Sequence, residues 1–200
     1  MNESQRQSLL SAIAISSGVA GLGHNITQQQ RSEAFTNLEQ FKAYPGRVAA
    51  CVEMIGCTTL QFSGPNNTPI DVTVPGKLYA LGVIQEFLKV GYNTLNESDR
   101  GQLRTSIVLA ARQLSSMPEM TTSIKINDST RILALKIAVL LADLALREFP
   151  QRWQTFISDL FSLWNADVGG NTTGVKICLE CLKLITEDCT DSDYNARVSS

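Results

Sequence analysis

Apolar residues recur at three- and four-residue spacing along most of the chain, and breaks of glycine, proline and asparagine divide them into eight segments. A first helix is predicted over about 4–16, with Leu9, Leu10 and Ile13 inward, and the glycine-rich run "SSGVAGLGHN" ends it. Thr27 caps a second, over about 28–42, whose Ala34, Phe35, Leu38 and Phe41 share a face. After Pro45 a third spans about 46–59, with Val48, Cys51, Val52 and Ile55 at helical spacing. "SGPNNTPIDVTVPG" reads as a loop, and its "DVTV" is an extended piece with no obvious partner strand. The fourth helix, about 76–92, is apolar nearly all round through Leu78, Leu81, Ile84, Phe87 and Leu88, as a helix covered on more than one side should be.

Ser98 caps a fifth helix, about 99–115, with Leu103, Ile107, Ala110 and Leu114 inward, and the polar loop "MPEMTTSIKIN" follows. The sixth starts at Asp128 or Ser129 and carries a stripe of Ile132, Leu135, Val139, Ala142 and Leu146. Pro150 stops it. The seventh, about 151–164, carries Trp153, Phe156, Ile157, Leu160, Phe161 and Trp164. "DVGGNTT" links it to an eighth, about 173–188, with Val175, Cys178, Leu179, Leu182 and Ile185. The polar tail, 190–200, is expected to be disordered.

The break at "LREFPQRWQTF", residues 146–156, has a local explanation. Proline disfavours helix at the residue before it and suits the first turn of a new one, so Pro150 ends one helix and starts the next. Arg147 suits the negative end of the first helix. Phe149, Pro150 and Trp153 are therefore assigned a structural role, the two rings plugging the corner. Taken in pairs, the helices start near 4, 46, 98 and 150. The intervals are about 42, 52 and 52 residues; helical hairpins at roughly 40–47 residues are the mark of HEAT-type repeats, and surface loops lengthen the period. The expected fold is all-α, an alpha-alpha superhelix (HEAT-repeat solenoid) of about eight helices in four antiparallel pairs, forming one array over 1–189.

Composition narrows the functions. The 44% hydrophobic content supports a core, and a net charge of −2 offers no general footprint for nucleic acid. No apolar run reaches the roughly 18 residues of a membrane span. Leu9–Gly23 imitates a signal peptide, but Ser and Gly dilute it and Arg6 is offset by Glu3. The five cysteines, an odd number within helical patterns, suit a reduced protein. Cys178 and Cys181 form a CxxC in mid-helix, on the helix's own apolar stripe. Buried structural cysteine explains them better than a redox or zinc pair. Gly18, Gly21 and Gly23 miss the phosphate-loop spacing, and His24 is the only histidine. Glu187/Asp188 and Asp191/Asp193 read as a solvated terminus. No catalytic, cofactor-binding or metal-ligating set emerges, so the chain is not read as an enzyme.

The order of these segments resembles the amino-terminal region of exportins, nuclear transport receptors of the karyopherin-beta (importin-beta) superfamily. "LREFPQRWQTFISDL" is similar to that family's helix-ending aromatic-proline run followed by a tryptophan helix, with Phe149 where a second tryptophan is usual. "RSEAFTNLEQFKAYP", "KLYALGVIQEFLKVGYNTL" (Tyr92 where a tryptophan is common), "LNESDRGQLRTSIV" and "VKICLECLKLITEDC" resemble its other segments in the same order. The wording "EQFKAYP" and "GNTT" leans toward the exportin-five branch and "RWQTFISDL" toward the leucine-rich-signal exportin, and the resemblance is taken as slightly nearer the exportin-five branch.

The resemblance implies a receptor segment that binds GTP-bound Ran and shuttles between nucleus and cytoplasm, without a membrane. Export cargo (protein or small structured RNA) and nuclear pore proteins are the other implied partners, cargo mostly through regions outside this chain. It implies, too, that the second helix of each pair lines the inner face. Ran contacts are therefore expected at Gln30, Asn37, Gln85, Glu86 and Lys89. The alternatives are a generic helical-repeat scaffold for protein–protein interaction, and a small enzyme using Cys178 and Cys181.

Overall fold

The computed structural model describes residues 1–19, 26–64, 67–116, 124–165 and 172–190. Among them are eight α-helices: α1 (Glu3–Ser17), α2 (Gln28–Ala43), α3 (Arg47–Gly56), α4 (Thr73–Val90), α5 (Glu97–Ser115), α6 (Ile124–Glu148), α7 (Phe156–Trp164) and α8 (Thr173–Thr190). One two-stranded antiparallel sheet, β1 (Gln61–Ser63) with β2 (Pro69–Asp71), interrupts them. The fold is all-α and of the helical-repeat kind. No helix among the described residues is long and apolar enough to cross a membrane. Expectations for Gly21, Gly23 and His24, for the loop at 117–123, for the linker at 166–171, and for the tail from Asp191 lie outside the described residues. The chain divides into two compact units, Met1–Lys89 and Val90–Ser200.

In the first unit, α1 and α2 each open on a capping box, in which two side chains satisfy the free N–H groups of the first turn. Asn2 Oδ1 accepts from Gln5 N at 2.8 Å and Gln5 Oε1 from Asn2 N at 3.0 Å. Thr27 and Gln30 repeat the exchange at α2. Gly18, at φ 64°, closes α1 in the left-handed conformation that suits glycine. The inward face of α2 is Ala34, Leu38 and Phe41. Phe35 is a correction: it is 65% exposed, because one residue beyond Ala34 it is turned about 100° off that face. In α3 the core positions are Ala50, Cys51, Met54 and Ile55, while Val48 and Val52 are half-buried.

The loop between α3 and α4 holds the unforeseen strands. Phe62 pairs with Ile70 across the hairpin, and both are buried beneath exposed neighbours. The extended piece expected at "DVTV" is corrected: only its Asp71 is in the strand, which is "PID", and Thr73 and Val74 open α4, while the partner "QFS" is three residues long and too short to leave an alternating signature. Asp71 Oδ1 accepts from Thr73 N at 2.8 Å and starts α4 three residues earlier than expected. Pro75 fits in this first turn, where its missing N–H costs nothing. Gly76 lies so close to the core that a β-carbon there would stand 2.7 Å from Leu60 Cδ1.

In the second unit, α6 packs most extensively on α8 and also on α5, while α7 packs on α8 and α5. Asn96, not Ser98, caps α5: its Oδ1 accepts from Asp99 N at 2.9 Å. The sixth helix begins at Ile124, earlier than Asp128. Its expected stripe is also rotated. Ile132 and Leu135 are exposed, Val139 and Leu146 half-buried, and the enclosed residues are Leu133, Ile137, Leu140, Leu141 and Leu144 with Ala134, Ala138, Ala142 and Ala145. From Ile132 to Arg147 apolar residues cover most of this helix, and polar ones mark only the sector of Lys136, Asp143 and Arg147, so more than one apolar stripe fits helical spacing. The alanines allow close helix–helix approach, and their side is the one used.

The seventh helix starts at Phe156 rather than 151, so Pro150 does not open it. Residues 149–155 form turns instead, the Phe149–Pro150 peptide is cis, and Arg152 N and Trp153 N both donate to Glu148 O. Only Phe156, Leu160 and Leu163 of α7 are buried. Ile157, Phe161 (58% exposed) and Trp164, apolar positions of the predicted seventh helix, face outward. In α8, Ile177, Cys178 and Cys181 are buried, and Leu179 and Leu182 are exposed.

Candidate functional site

The joint between α6 and α7 is built around Trp153 and Glu148. Trp153 is 2% exposed, and its ring meets Phe156 edge-on at 4.9 Å between centroids. Its Nε1–H donates to Asp159 Oδ2 at 2.8 Å, and Thr155 Oγ1 holds the same oxygen at 2.9 Å. A buried indole needs such an acceptor, so Asp159 lets the ring go inside. Phe149 is a correction to the expected pair of plugs: its ring lies 5.7 Å from that of Phe156 but remains 41% exposed. Trp153 alone fills the corner.

Glu148 completes the joint. Its side chain is fully enclosed, with one oxygen accepting from the Tyr92 hydroxyl and the other from Arg104 Nη1 at 2.6 Å. Arg104 also donates to Arg152 O at 3.2 Å and covers the Trp153 ring at 5.7 Å. Burial, and then the bond to the Glu148 carboxylate, pushes the Tyr92 hydroxyl pKa well above the ordinary tyrosine range. The sequence reading missed Tyr92, Arg104 and Glu148 as a set. One signal was present: a glutamate in the last turn of a helix opposes the helix dipole, and is tolerable when a cation answers it.

The five expected contact residues lie on α2 and α4. Gln30 is committed to the capping box of α2. Asn37 lines a cleft of about 230 Å³ between α1 and α2, with Gln5, Leu9, Gln40, Phe41 and Tyr44 among its walls. Glu86 pairs with Lys42 at 3.4 Å, and Lys42 also meets Glu39 at 3.1 Å. The hydrogen bond to Glu39, with Glu86 adding to it, raises the Lys42 pKa. Gln85 is half-buried, and Lys89 is exposed. Lys42 and Asn37 are five residues apart, so they point about 140° apart round α2. The cleft with Asn37 and the ion pair with Glu86 are therefore on different sides of that helix, and the five residues do not form one patch. Between α2 and α4, Tyr79 donates its hydroxyl to Leu38 O at 2.8 Å.

Cys178 and Cys181 are buried, and Cys178 Sγ donates to Leu160 O at 3.0 Å. Burial pushes the Cys181 thiol up to about 12, which keeps it protonated at neutral pH, and a thiol is a poor nucleophile. Among the described residues no group of three or more His, Cys, Asp or Glu could hold a metal ion.

Comparison with known proteins adds an independent line. Residues 130–199, which cover most of α6, the joint, α7 and α8, match the family model described as Exportin 1-like protein. Exportin-1 of Drosophila melanogaster is 25% identical over 118 residues, 58% of this chain and 10% of that protein. Exportin-T of Dictyostelium discoideum is 25% identical over 171 residues, 86% of this chain and 13% of that protein. The chain therefore spans about a tenth of the length of the curated relatives it matches. Neither relative is of the exportin-five branch, so the lean toward that branch has no support from them.

Proposed function

We propose that this chain is the amino-terminal, Ran-binding segment of a nuclear export receptor, acting in RanGTP-dependent carriage of cargo through the nuclear pore. The observation that carries the reading is the exportin-like match over residues 130–199, on the segment that contains the α6–α7 joint. The similarity to Exportin-1 and Exportin-T, and the all-α helical-repeat fold, support it. On this reading the protein shuttles between nucleus and cytoplasm, and its partners are GTP-bound Ran, export cargo and nuclear pore proteins. Ran contacts are proposed on the polar surfaces of α2 and α4, at Gln30, Asn37, Gln85, Glu86 and Lys89. Lys89 and Asn37 are the informative ones, since Gln30 caps a helix, Glu86 pairs with Lys42 and Gln85 is half-buried. Alanine at both should weaken Ran binding by about tenfold while leaving thermal stability unchanged; unchanged binding would remove this surface from the proposal.

A second reading, a helical-repeat scaffold for another protein, is favoured by the outward aromatic face of α7. Ile157, Phe161 and Trp164 recur there at helical spacing and are exposed. Binding of a partner with no dependence on Ran's nucleotide would select it.

A further inference from the structure

The surface of the α6–α7 joint is cationic in a chain whose net charge is negative. From Leu144 to Ser158 the sequence holds two arginines and one acid. The acid is Glu148, whose side chain is fully enclosed, whereas Arg147 and Arg152 are exposed. The only charge this stretch shows to solvent is therefore positive. Two arginines of α5 stand behind it. Arg104 reaches Glu148 and the carbonyl of Arg152, and Arg100 lies over the Tyr92 ring at 5.1 Å. Arg147 approaches that same ring at 5.7 Å. The Nε–H of Arg100 is buried and meets no acceptor. Carboxylates nearby in sequence are Asp143, one turn before Arg147, and Glu97 and Asp99 on the first turn of α5, of which Asp99 is tied to Asn96. These lie outside the joint. Asp159, on the first turn of α7, belongs to it and is partly exposed, but its carboxylate accepts from Trp153 and Thr155 and meets Arg112 at 3.7 Å. Between Arg147 and Arg152 in the sequence stands Phe149, whose ring is exposed.

We propose that the exposed face of this joint is a docking site for an acidic protein segment carrying an apolar side chain. Guanidinium groups pair with carboxylates through a fixed fork of donors, and stacking on Tyr92 limits the freedom they lose on binding. Phe149 supplies an apolar contact that a bare anion would not use. An extended nucleic acid is disfavoured, because a chain of net charge −2 with only this short arginine pair in the stretch supplies no continuous basic stripe for a phosphate backbone to follow. The site is independent of the transport reading, and it is not made from the residues proposed for Ran.

The test is fluorescence anisotropy with the full chain and a fluorescein-labelled glutamate-rich peptide with one central phenylalanine. The glutamine counterpart of the peptide, inorganic phosphate and a poly-uridine oligonucleotide are the competitors. The double variant Arg147→Glu/Arg152→Glu should lose at least about tenfold in affinity, and Phe149→Ala about threefold. Arg131→Glu removes the same kind of charge on α6, about 24 Å along the helix from Arg147, and should change affinity less than about twofold. Because the double variant could unfold, a titration of the unaltered chain followed by NMR provides a second readout: the Trp153 indole N–H should shift as peptide is added. No binding of the glutamate peptide, an equal loss in Arg131→Glu, an unmoved Trp153 signal, or displacement by phosphate or poly-uridine at lower concentration than by unlabelled peptide would each overturn the proposal.

Discussion

Glu148 is closed off from solvent and still meets a cation, its Oε2 accepting from Arg104 Nη1 at 2.6 Å. A buried ion pair is a doubtful source of net stability, but removing one partner leaves the other uncompensated. Here Arg104 is 22% exposed, so water relieves part of that cost. Glu148→Gln is expected to destabilise the chain by about 3 kcal/mol, at the lower end for a broken buried pair. Tyr92→Phe should cost less, about 1–2 kcal/mol, because Glu148 then keeps Arg104. Urea unfolding followed by circular dichroism measures both, and equal effects would mean that the charge pair adds nothing to the hydrogen bond.

The two rings of the joint should behave differently. Trp153→Ala removes an enclosed indole and leaves a cavity, at a cost of about 3–5 kcal/mol. Phe149→Ala should cost less than about 1 kcal/mol, since much of that ring is already in water. The same unfolding experiment on the pair of variants checks this, and similar losses would return Phe149 to the core.

Gly76 gives a test of packing in the first unit. Alanine in a helix is worth about 1 kcal/mol over glycine by propensity. Against that, its β-carbon would stand 2.7 Å from the enclosed Leu60 Cδ1, and overpacking of a core costs about 1–3 kcal/mol. The expected outcome of Gly76→Ala is net destabilisation, and Gly82→Ala, where nothing lies within 4 Å, should be neutral or stabilising. A stabilising Gly76→Ala would show that Leu60 moves aside freely.

Alkaline pH should loosen the fold. Cys51 and Cys181 are pushed up to about 12, and Tyr79 and Tyr92 well above the tyrosine range, in each case chiefly by burial. The unfolded chain releases these protons first, from about pH 8.5 for cysteine and 10 for tyrosine. Their contribution is therefore complete below about 8.5 and is lost as pH rises toward the folded values. Melting temperature is expected to be level from pH 7 to about 8.5 and to fall beyond it. Tyr79→Phe should make the fall shallower above about pH 10. A level profile up to pH 11 would contradict the assignment.

How far the sequence could be read varies from element to element, for physical reasons. Thr27 and the inward set Leu9, Leu10 and Ile13 were legible because capping and one-sided burial leave a local mark. The stripe of α6 was not: apolar residues cover most of its surface, and the one signal was the polar sector of Lys136, Asp143 and Arg147, which the buried face avoids. The strands at Gln61–Ser63 and Pro69–Asp71 were too short for periodicity. At the joint, the proline break was visible, but the start of α7 depends on a turn held by Glu148 O and on the anchoring of Trp153, which spacing does not encode. The Glu148 cluster joins residues 92, 104 and 148, so no local window contains it.

The central claim is a nucleotide-sensitive partner. The most direct measurement is titration of the folded chain with Ran loaded with a non-hydrolysable GTP analogue and, separately, with GDP, read by isothermal calorimetry. Binding of the GTP form at least about tenfold tighter than the GDP form is the expected result. Equal affinity for the two forms, or no binding of either by a sample with a cooperative thermal transition, would contradict it.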